Sequence, residues 1–399
     1  MGDTDETEVA IVGAGPAGLV LAHLLTARDI DCVVLEQRDR AYVEHRVRAG
    51  VLEHPTVELL RQLGLAERLD REGLAHRGIQ LAVDGVRHRI DFMELTGRSI
   101  TVYGQQEVVK DLIAARLAAG GEIVFDALDV APADVDTDHP VVHYHHDGVA
   151  KELRCRIVAG CDGSFGVCGP LVADRAVAAH TYPFAWLGIL AEAAPTQDEL
   201  VYASHDRGFA LYSMRSPSVT RLYLQVAPDE RLAAWPDDRI WEELATRLPL
   251  GDGFRLNTGP IIDRGVTAMH SSVSTPMRHG NLLIAGDAAH IVPATGAKGM
   301  NLAIADATVM AAVIDEAVRG GHPERLAEYT PTCLRRVWRT QHFSHRMTTM
   351  LHRFDDADPF RRQLQRTELD IVTSSVAAAT DLAEHYVGLP FATLPEHAA

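Results

Sequence analysis

The sequence predicts a mixed α/β (α+β) protein in which an α/β domain is interrupted by an inserted antiparallel β-sheet and followed by a C-terminal helical region. Three observations indicate this class. Residues 8–12 form a short apolar strand that runs into a glycine-rich turn and a helix. Residues 281–285 form a second buried strand, which ends at a glycine and an acid before a helix that follows Gly299. Between them, residues 181–226 alternate in the way that is typical of antiparallel strands.

These patterns also divide the chain into domains. We expect residues 1–180 and 271–330 to form one discontinuous domain, residues 181–270 to form the inserted sheet, and residues 331–399 to be mainly helical. A chain of 399 residues is long enough for two or three domains with a large core.

The composition restricts the kinds of partner. A formal net charge of −17 argues against nucleic acid or an anionic membrane surface, and no apolar run is long enough to cross a membrane. The five cysteines show neither metal-type spacing nor a paired framework. Because the start of the chain also lacks the apolar core of a signal peptide, we expect a cytoplasmic protein.

The first glycine motif indicates a dinucleotide site. Gly13, Gly15 and Gly18 lie between a strand and a helix, and Glu36 closes the next strand about twenty residues later. Such glycines allow a tight turn and a close approach of a pyrophosphate, while the acid binds a ribose hydroxyl. The alternative is a glycine-rich turn with a surface glutamate.

The stretch from residue 281 to 301 indicates a second part of a ligand site. Asp287, directly after Gly286, is placed to bind a sugar-like hydroxyl, and the glycine-rich loop lets a ligand approach the backbone. The helix after Gly299 offers unpaired N–H groups and a positive dipole end to an anion. We interpret this stretch as the place of a flavin ring and its ribityl chain, and an ordinary strand–loop–helix corner is the alternative.

Two further clusters allow more than one interpretation. Arg46 and Arg48 could clamp a phosphate, or they could be solvated surface charges. The histidines at 143, 145 and 146 suggest a metal site, but the turn signal at 147–148 predicts a hairpin, and no third ligand is evident on the shared face. We therefore predict no metal.

A predicted hairpin in the inserted sheet carries a cluster of polar side chains. If residues 216–220 form the connection, Arg215 lies opposite Arg221 and Ser213 opposite Tyr223. A four-residue loop would put the two sets on opposite faces, unless a bulge intervened. Like charges that face each other are unfavourable unless an anion lies nearby, so the clustered register implies a bound carboxylate or other anion. An exposed basic sheet face is the alternative.

Three further local predictions concern packing. Residues 53–69 are predicted to be one helix, and His76 is predicted to lie in a turn at residues 73–78. In the C-terminal region Trp338 is predicted to pack in the core beside Val337.

The motifs resemble a known family. Gly13-x-Gly15-x-x-Gly18, Asp162-Gly163 and Gly286-Asp287 resemble the three fingerprints of the flavoprotein aromatic hydroxylases, which are group A FAD-dependent monooxygenases. Motifs of the para-hydroxybenzoate hydroxylase-like subfamily are matched at residues 48–53, 207–211, 296–299 and 386–390. The similarity runs from about Val9 to Pro390, nearly the whole chain.

The resemblance implies a Rossmann-like FAD-binding domain and assigns roles to particular residues. The residues implied for FAD are Gly13, Gly15, Gly18, Glu36, Arg46, Arg48, Gln105, Asp162, Arg221, Gly286, Asp287, Pro293, Gly296, Lys298, Gly299, Met300 and Asn301. The residues implied for an aromatic acid are Ser213, Arg215, Tyr223, Tyr202, Ala294 and Thr295. The catalytic residues implied are Tyr202, Tyr386 and His76, which would carry the proton of the substrate hydroxyl outward.

The resemblance also implies the chemistry. NADPH or NADH would reduce FAD, and O2 would then form a flavin C4a-hydroperoxide that attacks an ionised phenol. We expect 4-hydroxybenzoate, or a relative with a 3-amino or 3-hydroxy group, as the substrate, and a homodimer as the assembly. Two alternatives are a flavin-dependent reductase or other FAD oxidoreductase of the same fold, and a non-catalytic FAD-binding protein.

The sequence departs from the family pattern at two places that matter for function. Ala294 stands where the family has a second proline, next to the substrate hydroxyl. Phe165, Gly169 and His270 stand at positions where the family binds the pyridine nucleotide, so the choice between NADPH and NADH stays open.

Overall fold

The computed structural model describes residues 4–46, 50–83, 85–248, 255–354 and 358–394. Its strands are β1 Thr4–Glu6, β2 Val9–Val12, β3 Cys32–Leu35, β4 Val51–Leu52, β5 Leu74–His76, β6 Gly78–Val83, β7 Val86–Asp91, β8 Ile100–Val102, β9 Glu122–Val124, β10 Leu128–Ala133, β11 Val141–His146, β12 Val149–Arg154, β13 Ile157–Gly160, β14 Ala176–Ala191, β15 Val201–Ser204, β16 Ala210–Ser216, β17 Val219–Val226, β18 Ile261–Thr275, β19 Arg278–His279, β20 Leu282–Ile284 and β21 His290–Ile291. Its α-helices are α1 Pro16–Thr26, α2 Arg40–His45, α3 His54–Gln62, α4 Glu67–Glu72, α5 Phe92–Thr96, α6 Gln105–Ala118, α7 Asp237–Arg247, α8 Gly299–Val318, α9 Tyr329–Leu351, α10 Pro359–Ser374 and α11 Val376–Val387.

A six-stranded sheet with the order β19-β20-β13-β2-β3-β9 forms the first layer. Its neighbouring strands are parallel, except that β19 runs antiparallel to β20 at the edge. The central strands are short apolar runs that are buried throughout, because helices α1, α6 and α8 share their core. The carboxyl ends of parallel strands meet at one edge of a sheet, so the loops after β2, β3, β13 and β20 converge there.

An eight-stranded sheet with the order β21-β18-β14-β17-β16-β15-β6-β7 forms the second layer. Its pairs are antiparallel except for β15 and β6, which are parallel. Strands β6 and β7 come from residues 78–91, and the long strands β14 and β18 extend past residues 180 and 270. The sheet is therefore larger than the insertion that the sequence predicts at residues 181–270.

Alternation along β14 distributes its side chains between two cores. Phe184 and Trp186 pack with residues of α9, α10 and α11, whereas Leu187 and Ile189 pack on the opposite face with residues of α7. The eight-stranded sheet is thus covered by helices on both faces, and one face looks toward the C-terminal helices.

Three local predictions are wrong. The helix predicted over residues 53–69 is two helices, α3 and α4, because the chain breaks at Gly64 with φ +71°. His76 ends strand β5 and is buried rather than lying in a turn. Trp338 is 50% exposed while Val337 is buried, because successive residues of a helix point about 100° apart and at this place only Val337 faces the core.

The histidine-rich segment forms the predicted hairpin. Strands β11 and β12 are joined at Asp147 and Gly148, which have φ values of 52° and 75°. His143 and His145 lie on the exposed face of this hairpin. Within the described ranges, no three histidine, cysteine, aspartate or glutamate side chains are grouped so as to hold a metal ion. None of the helices described has both the length and the apolar content that a bilayer crossing requires.

Candidate functional site

The loop after β2 forms a cradle with open space above it. A Cβ atom at Gly13, whose φ is +106°, would lie 2.4 Å from the carbonyl oxygen of Cys161, and one at Gly18 would lie 2.1 Å from the carbonyl oxygen of Gly13. In contrast, a Cβ atom at Gly15 would meet no heavy atom within 4 Å. Gly13 and Gly18 therefore permit close packing, while the space at Gly15, where α1 begins, is left for an anionic ligand.

Two carboxylates border this cradle at the ends of β3 and β13, the two strands that flank β2. Glu36 Oε2 accepts a hydrogen bond of 2.9 Å from the Ala14 N–H, and its Oε1 accepts one of 2.9 Å from the Arg38 N–H. Asp162 Oδ2 accepts from the Cys168 N–H at 2.9 Å, while its Oδ1 is buried without a hydrogen-bond partner. An unsatisfied buried carboxylate oxygen at this edge indicates that a donor from a ligand belongs there.

The turn after β20 presents a carboxylate to the same edge of the sheet. Asp287 is exposed, whereas Gly286 and Ala288 on either side of it are buried. The first N–H groups of any α-helix have no partner within the helix. Helix α8 begins at Gly299 without a side-chain cap, so no capping side chain supplies that partner here. The turn and the helix start together offer one acceptor and several donors to a ligand.

The loop from Pro293 to α8 is packed against helix α9. Pro293, Thr295, Gly296 and Met300 are buried, and Ala294 is exposed. Thr295 Oγ1 accepts a hydrogen bond of 2.9 Å from Thr348 Oγ1 of α9.

The side chains of Lys298 and Asn301 are occupied within the protein. The Lys298 ammonium donates to Glu53 Oε1 at 2.9 Å and to the carbonyl oxygens of His385 and Tyr386 at 2.6 and 2.9 Å. Asn301 Oδ1 accepts from the Glu53 N–H at 2.9 Å, and its amide group donates to the Val51 carbonyl at 2.9 Å. These two side chains therefore fix the loop, and contact with a cofactor is left to their backbone N–H groups.

The hairpin of β16 and β17 has a register that differs from the prediction. Ser213, rather than Arg215, lies opposite Arg221, so the predicted pairing of Ser213 with Tyr223 is wrong by two residues. The pairing shifts between residues 214 and 216, where a bulge accommodates Arg215. The bulge keeps Arg215 beside Ser213 although the two residues no longer alternate regularly.

The structure brings the polar side chains of this hairpin together around two cations. Arg215 Nη1 donates to Ser213 Oγ at 3.3 Å, and the Arg221 guanidinium lies 5.2 Å from the centre of the Tyr223 ring. Burial raises the pKa of Tyr223, but the charges of Arg215 and Arg221 outweigh burial and hold that pKa below its usual value. Arg221 Nε and Nη1 are buried without hydrogen-bond partners, and the contact of Nη1 with Asp263 is only a 3.5 Å ion pair.

Two tyrosines share a short hydrogen bond behind this cluster. The hydroxyl groups of Tyr202 on β15 and Tyr386 on α11 are 2.5 Å apart, and both side chains are buried. Burial, together with the neighbouring Tyr386, raises the pKa of Tyr202 well above its usual value, and burial likewise raises the pKa of Tyr386. Both hydroxyls therefore stay protonated at neutral pH and can act as hydrogen-bond donors.

The third residue implied for the proton route is His76. Both of its ring nitrogens are buried without a hydrogen-bond partner, and burial lowers its pKa to about 4. Among the described residues no hydrogen bond joins His76 to Tyr202 or Tyr386. A proton route that includes His76 therefore requires water or a movement of a side chain.

The remaining residues implied for the cofactor are placed as follows. Arg46 directly follows α2, with its guanidinium 5.9 Å from the centre of the Tyr42 ring, and Gln105 is the first residue of α6. Arg48 lies outside the described residues.

Two buried clusters of charged side chains were not predicted from the sequence. Glu53 pairs with Lys298 and also with Arg336 at 3.1 Å. His290 Nε2 and Asp306 Oδ2 are 2.5 Å apart, and both residues are 2% exposed. A lone acid inside the apolar run of α8 is a signal that could have revealed Asp306, since buried acids are normally paired.

The geometry fits FAD, which the resemblance implies. The open space at Gly15 suits a pyrophosphate, and the exposed carboxylate of Asp287 suits ribityl hydroxyls. The unpartnered N–H groups at the start of α8 suit the electron-rich edge of a flavin ring. The unpartnered donors of Arg221 and the orphaned Oδ1 of Asp162 are the buried polar atoms that such a ligand would satisfy.

Comparisons with known proteins agree with this geometry. The model of the FAD binding domain family matches residues 6–344. The chain is 43% identical over 391 residues to the p-hydroxybenzoate hydroxylase of Acinetobacter baylyi, which covers 97% of this chain and 96% of that protein. The crystal structure of p-nitrophenol 4-monooxygenase from Pseudomonas putida superposes with a TM-score of 0.78 at 20% identity and covers 96% of this chain and 97% of that one. The Diels-Alderase PyrE3 of pyrroindomycin biosynthesis superposes with a TM-score of 0.77 at 22% identity over 99% of this chain and 82% of that one, which shows that the fold alone does not fix the chemistry.

Proposed function

Because this chain belongs to the FAD binding domain family and is a flavin-dependent aromatic monooxygenase that uses FAD, NAD(P)H and O2, we propose that it hydroxylates the ring of 4-hydroxybenzoate or a 3-amino or 3-hydroxy derivative. The relative that covers nearly the whole chain bears the name p-hydroxybenzoate hydroxylase, which supports this substrate class.

The observation that carries the proposal is the pair of arginines on the hairpin. Arg215 has no carboxylate partner within 4.0 Å among the described residues, and Arg221 has only the loose contact with Asp263. Two guanidinium groups on the same part of a sheet repel each other unless an anion lies between or beside them. The carboxylate of an aromatic acid supplies that charge, and Ser213 and Tyr223 add hydroxyl groups for further hydrogen bonds.

The buried tyrosine pair binds the substrate hydroxyl and promotes its ionisation. Tyr202 donates a hydrogen bond to the phenolic oxygen, and Tyr386 is positioned to pass a proton away from it. A free phenol titrates near 10, and each unit by which its pKa falls favours the phenolate by about 1.4 kcal/mol. Because the pKa of Tyr202 is raised, this tyrosine does not compete with the substrate for ionisation.

The cofactor contributes one part of the reaction and the chain contributes the rest. When bound, FAD would supply the chemistry of accepting electrons from NADH or NADPH and activating O2 for transfer to the ring. The hairpin fixes the acid end of the substrate, Tyr202 fixes the hydroxyl end, and the buried loop residues Pro293 and Thr295 exclude water from the space between them.

A panel of aromatic acids tests the proposal. We expect 4-hydroxybenzoate and its 3-amino and 3-hydroxy derivatives to accelerate NAD(P)H oxidation and to be converted into ring-hydroxylated products, identified by mass spectrometry and NMR. Benzoate, which keeps the carboxylate but has no hydroxyl for Tyr202, serves as the matched control and should bind without giving product. The proposed substrate class is wrong if all four acids fail to bind. It is also wrong if NAD(P)H is oxidised in the presence of the three hydroxybenzoates but none of them gains a ring hydroxyl group.

We also propose that the chain forms a homodimer through helix α10. Phe360, Leu364 and Ile371 are 71%, 55% and 43% exposed, and their spacing places them on one stripe of the helix. The first half of α10 contains three arginines and the second half contains Glu368 and Asp370. In a two-fold dimer two copies of α10 pack antiparallel, so the basic half of each helix lies near the acidic half of the other.

Replacing Leu364 by glutamate should convert the dimer to a monomer, because a charge is placed in the centre of the apolar stripe. Size-exclusion chromatography with light scattering should give about twice the 43.5 kDa chain mass for the wild type and the single mass for the variant. Val86→Glu, at a site that is 56% exposed on β7, is the matched control and should remain dimeric. A wild-type protein that is monomeric at micromolar concentration would contradict the proposal.

A further inference from the structure

A buried ion pair lies directly beneath the turn that carries Asp287. Asp306 Oδ2, on the third turn of α8, accepts a hydrogen bond of 3.1 Å from the Gly286 N–H. The same oxygen lies 2.5 Å from His290 Nε2. Through this one oxygen, Asp306 therefore contacts both Gly286, directly before Asp287, and His290, three residues after Asp287.

The turn has little freedom apart from these contacts. Gly286 adopts φ +61°, and a Cβ atom there would lie 3.1 Å from the Cβ of Ala303 on α8. The Ala289 N–H donates to the Gly286 carbonyl at 2.8 Å, which closes the turn on itself. The packing of Gly286 against Ala303 and the hydrogen bonds of Asp306 together set the separation between the turn and α8. No other side-chain hydrogen bond described here joins the turn to that helix.

The first turn of helix α8 contributes another part of the candidate FAD site. This turn, from Gly299, carries the unpartnered N–H groups that fit a flavin ring, while Asp306 lies two turns further along the same rigid helix. A displacement of the 286–290 turn would therefore change the distance between the carboxylate of Asp287 and the N–H groups at the helix start.

We propose that His290 and Asp306 form a positioning pair for FAD, which fixes the Asp287 carboxylate relative to the start of α8 without touching the cofactor. The inference depends on FAD binding and is independent of which aromatic acid is the substrate. Nothing in the apolar run of α8 requires an acid for packing, whereas an acid at this position connects both sides of the turn.

The electrostatics of the pair agree with this role. Burial lowers the pKa of His290, but the charge of Asp306 and the hydrogen bond to it outweigh burial and raise the pKa above its usual value. Asp287 adds a smaller effect of the same sign, and Cys333 and Tyr329 lie near Asp306 as neutral groups whose own pKa values are raised by burial. The raised pKa favours the protonated form of His290, and with it an ion pair with Asp306 between two groups that are removed from water.

Two variants test the proposal through FAD affinity of the apoprotein. Asp306→Asn keeps an oxygen for the Gly286 N–H but removes the charge that holds His290, and His290→Gln keeps Asp306 and its bond to Gly286. We expect each to raise the dissociation constant for FAD at least about tenfold, as measured by the change in flavin fluorescence on titration of apoprotein. The visible circular dichroism of bound flavin should also change, because the ring would lie differently against α8.

A matched control separates positioning from general loss of stability. Glu243→Gln removes one charge from another buried pair, on α7, where Glu243 Oε2 accepts from Arg247 Nε at 2.9 Å. This variant should lower the melting temperature of the apoprotein but leave the FAD dissociation constant and the visible circular dichroism unchanged. The proposal is overturned if the Asp306 and His290 variants lose no more FAD affinity than Glu243→Gln at a similar loss of melting temperature. It is also overturned if Asp306→Asn does not fold but His290→Gln folds and binds FAD with the affinity and spectrum of the wild type.

Discussion

Replacing Arg215 by alanine should raise the dissociation constant for the aromatic acid at least about tenfold, which corresponds to about 1.4 kcal/mol. The guanidinium of Arg215 lies beside Ser213 Oγ and has no carboxylate partner among the described residues, so its charge is available to a ligand. A charge-assisted hydrogen bond in a partly buried site contributes more than a neutral one, because water competes for it less. Titration of the oxidised flavoprotein, followed by the change in flavin absorbance, measures the constant directly.

The binding of an acid and of its uncharged amide shows whether Arg215→Ala loses affinity because it no longer pairs with the negative charge of the carboxylate. The wild type should bind 4-hydroxybenzoate more tightly than 4-hydroxybenzamide, and Arg215→Ala should lose most of this preference. Arg239→Ala removes an arginine that stacks on Trp235, 4.2 Å from the ring centre, and it is the control for a general loss of positive charge. An Arg215→Ala protein that keeps the wild-type preference for the acid would refute the clamp.

Replacing Tyr202 by phenylalanine should reduce product formation far more than substrate binding. The Tyr202 hydroxyl is buried and 2.5 Å from that of Tyr386, so the variant removes both the proposed donor to the substrate oxygen and the proposed start of the proton route. Removing a general acid–base group typically costs a factor of about 10² or more, whereas the carboxylate clamp is left intact. The ratio of hydroxylated product to NAD(P)H consumed, together with the dissociation constant, separates the two effects.

The ionisation of the bound phenol gives an independent measurement. In the wild type the pKa of bound 4-hydroxybenzoate should be lower than that of the free phenol, and in Tyr202→Phe it should return toward the free value. Tyr182→Phe is the matched control. Tyr182 lies on β14 of the same sheet as Tyr202, but its hydroxyl is hydrogen-bonded to His345 of α9 at 2.9 Å, so its removal should not affect the substrate. If Tyr202→Phe leaves both the phenol pKa and the product ratio unchanged, Tyr202 does not contact the hydroxyl.

The parts of the site that depend on neighbouring residues in sequence could be predicted. Gly13 and Gly18 are required by contacts within one strand–turn–helix unit, and Glu36 closes the next strand of the same unit. The glycine spacing and the acid therefore carry most of the information about this part of the fold. In the same way the turn at Asp147 and Gly148 predicted the histidine-rich hairpin, because the turn type demands those residues.

The parts that depend on distant residues could not be predicted. The bulge at Arg215 shifts the pairing by one residue, and the connection between the two strands is shorter than the predicted 216–220, so the register differs from the prediction by two residues. Nothing in the local alternation of the two strands signals this difference. The Lys298 ammonium pairs with Glu53, which is 245 residues away, so a glycine-rich motif alone could not show that this side chain is already occupied. His290 and Asp306 are close in sequence, but their contact appears only when the turn folds back onto α8.

A reaction with isotopically labelled dioxygen shows whether the protein transfers oxygen to the aromatic ring. Purified protein loaded with FAD is given NADPH or NADH, 4-hydroxybenzoate and labelled O2, and the aromatic product is analysed by mass spectrometry. We expect a dihydroxybenzoic acid that carries one labelled oxygen atom on the ring. Oxidation of the nicotinamide with recovery of unlabelled, unchanged 4-hydroxybenzoate and of each of its 3-substituted relatives would contradict the proposal.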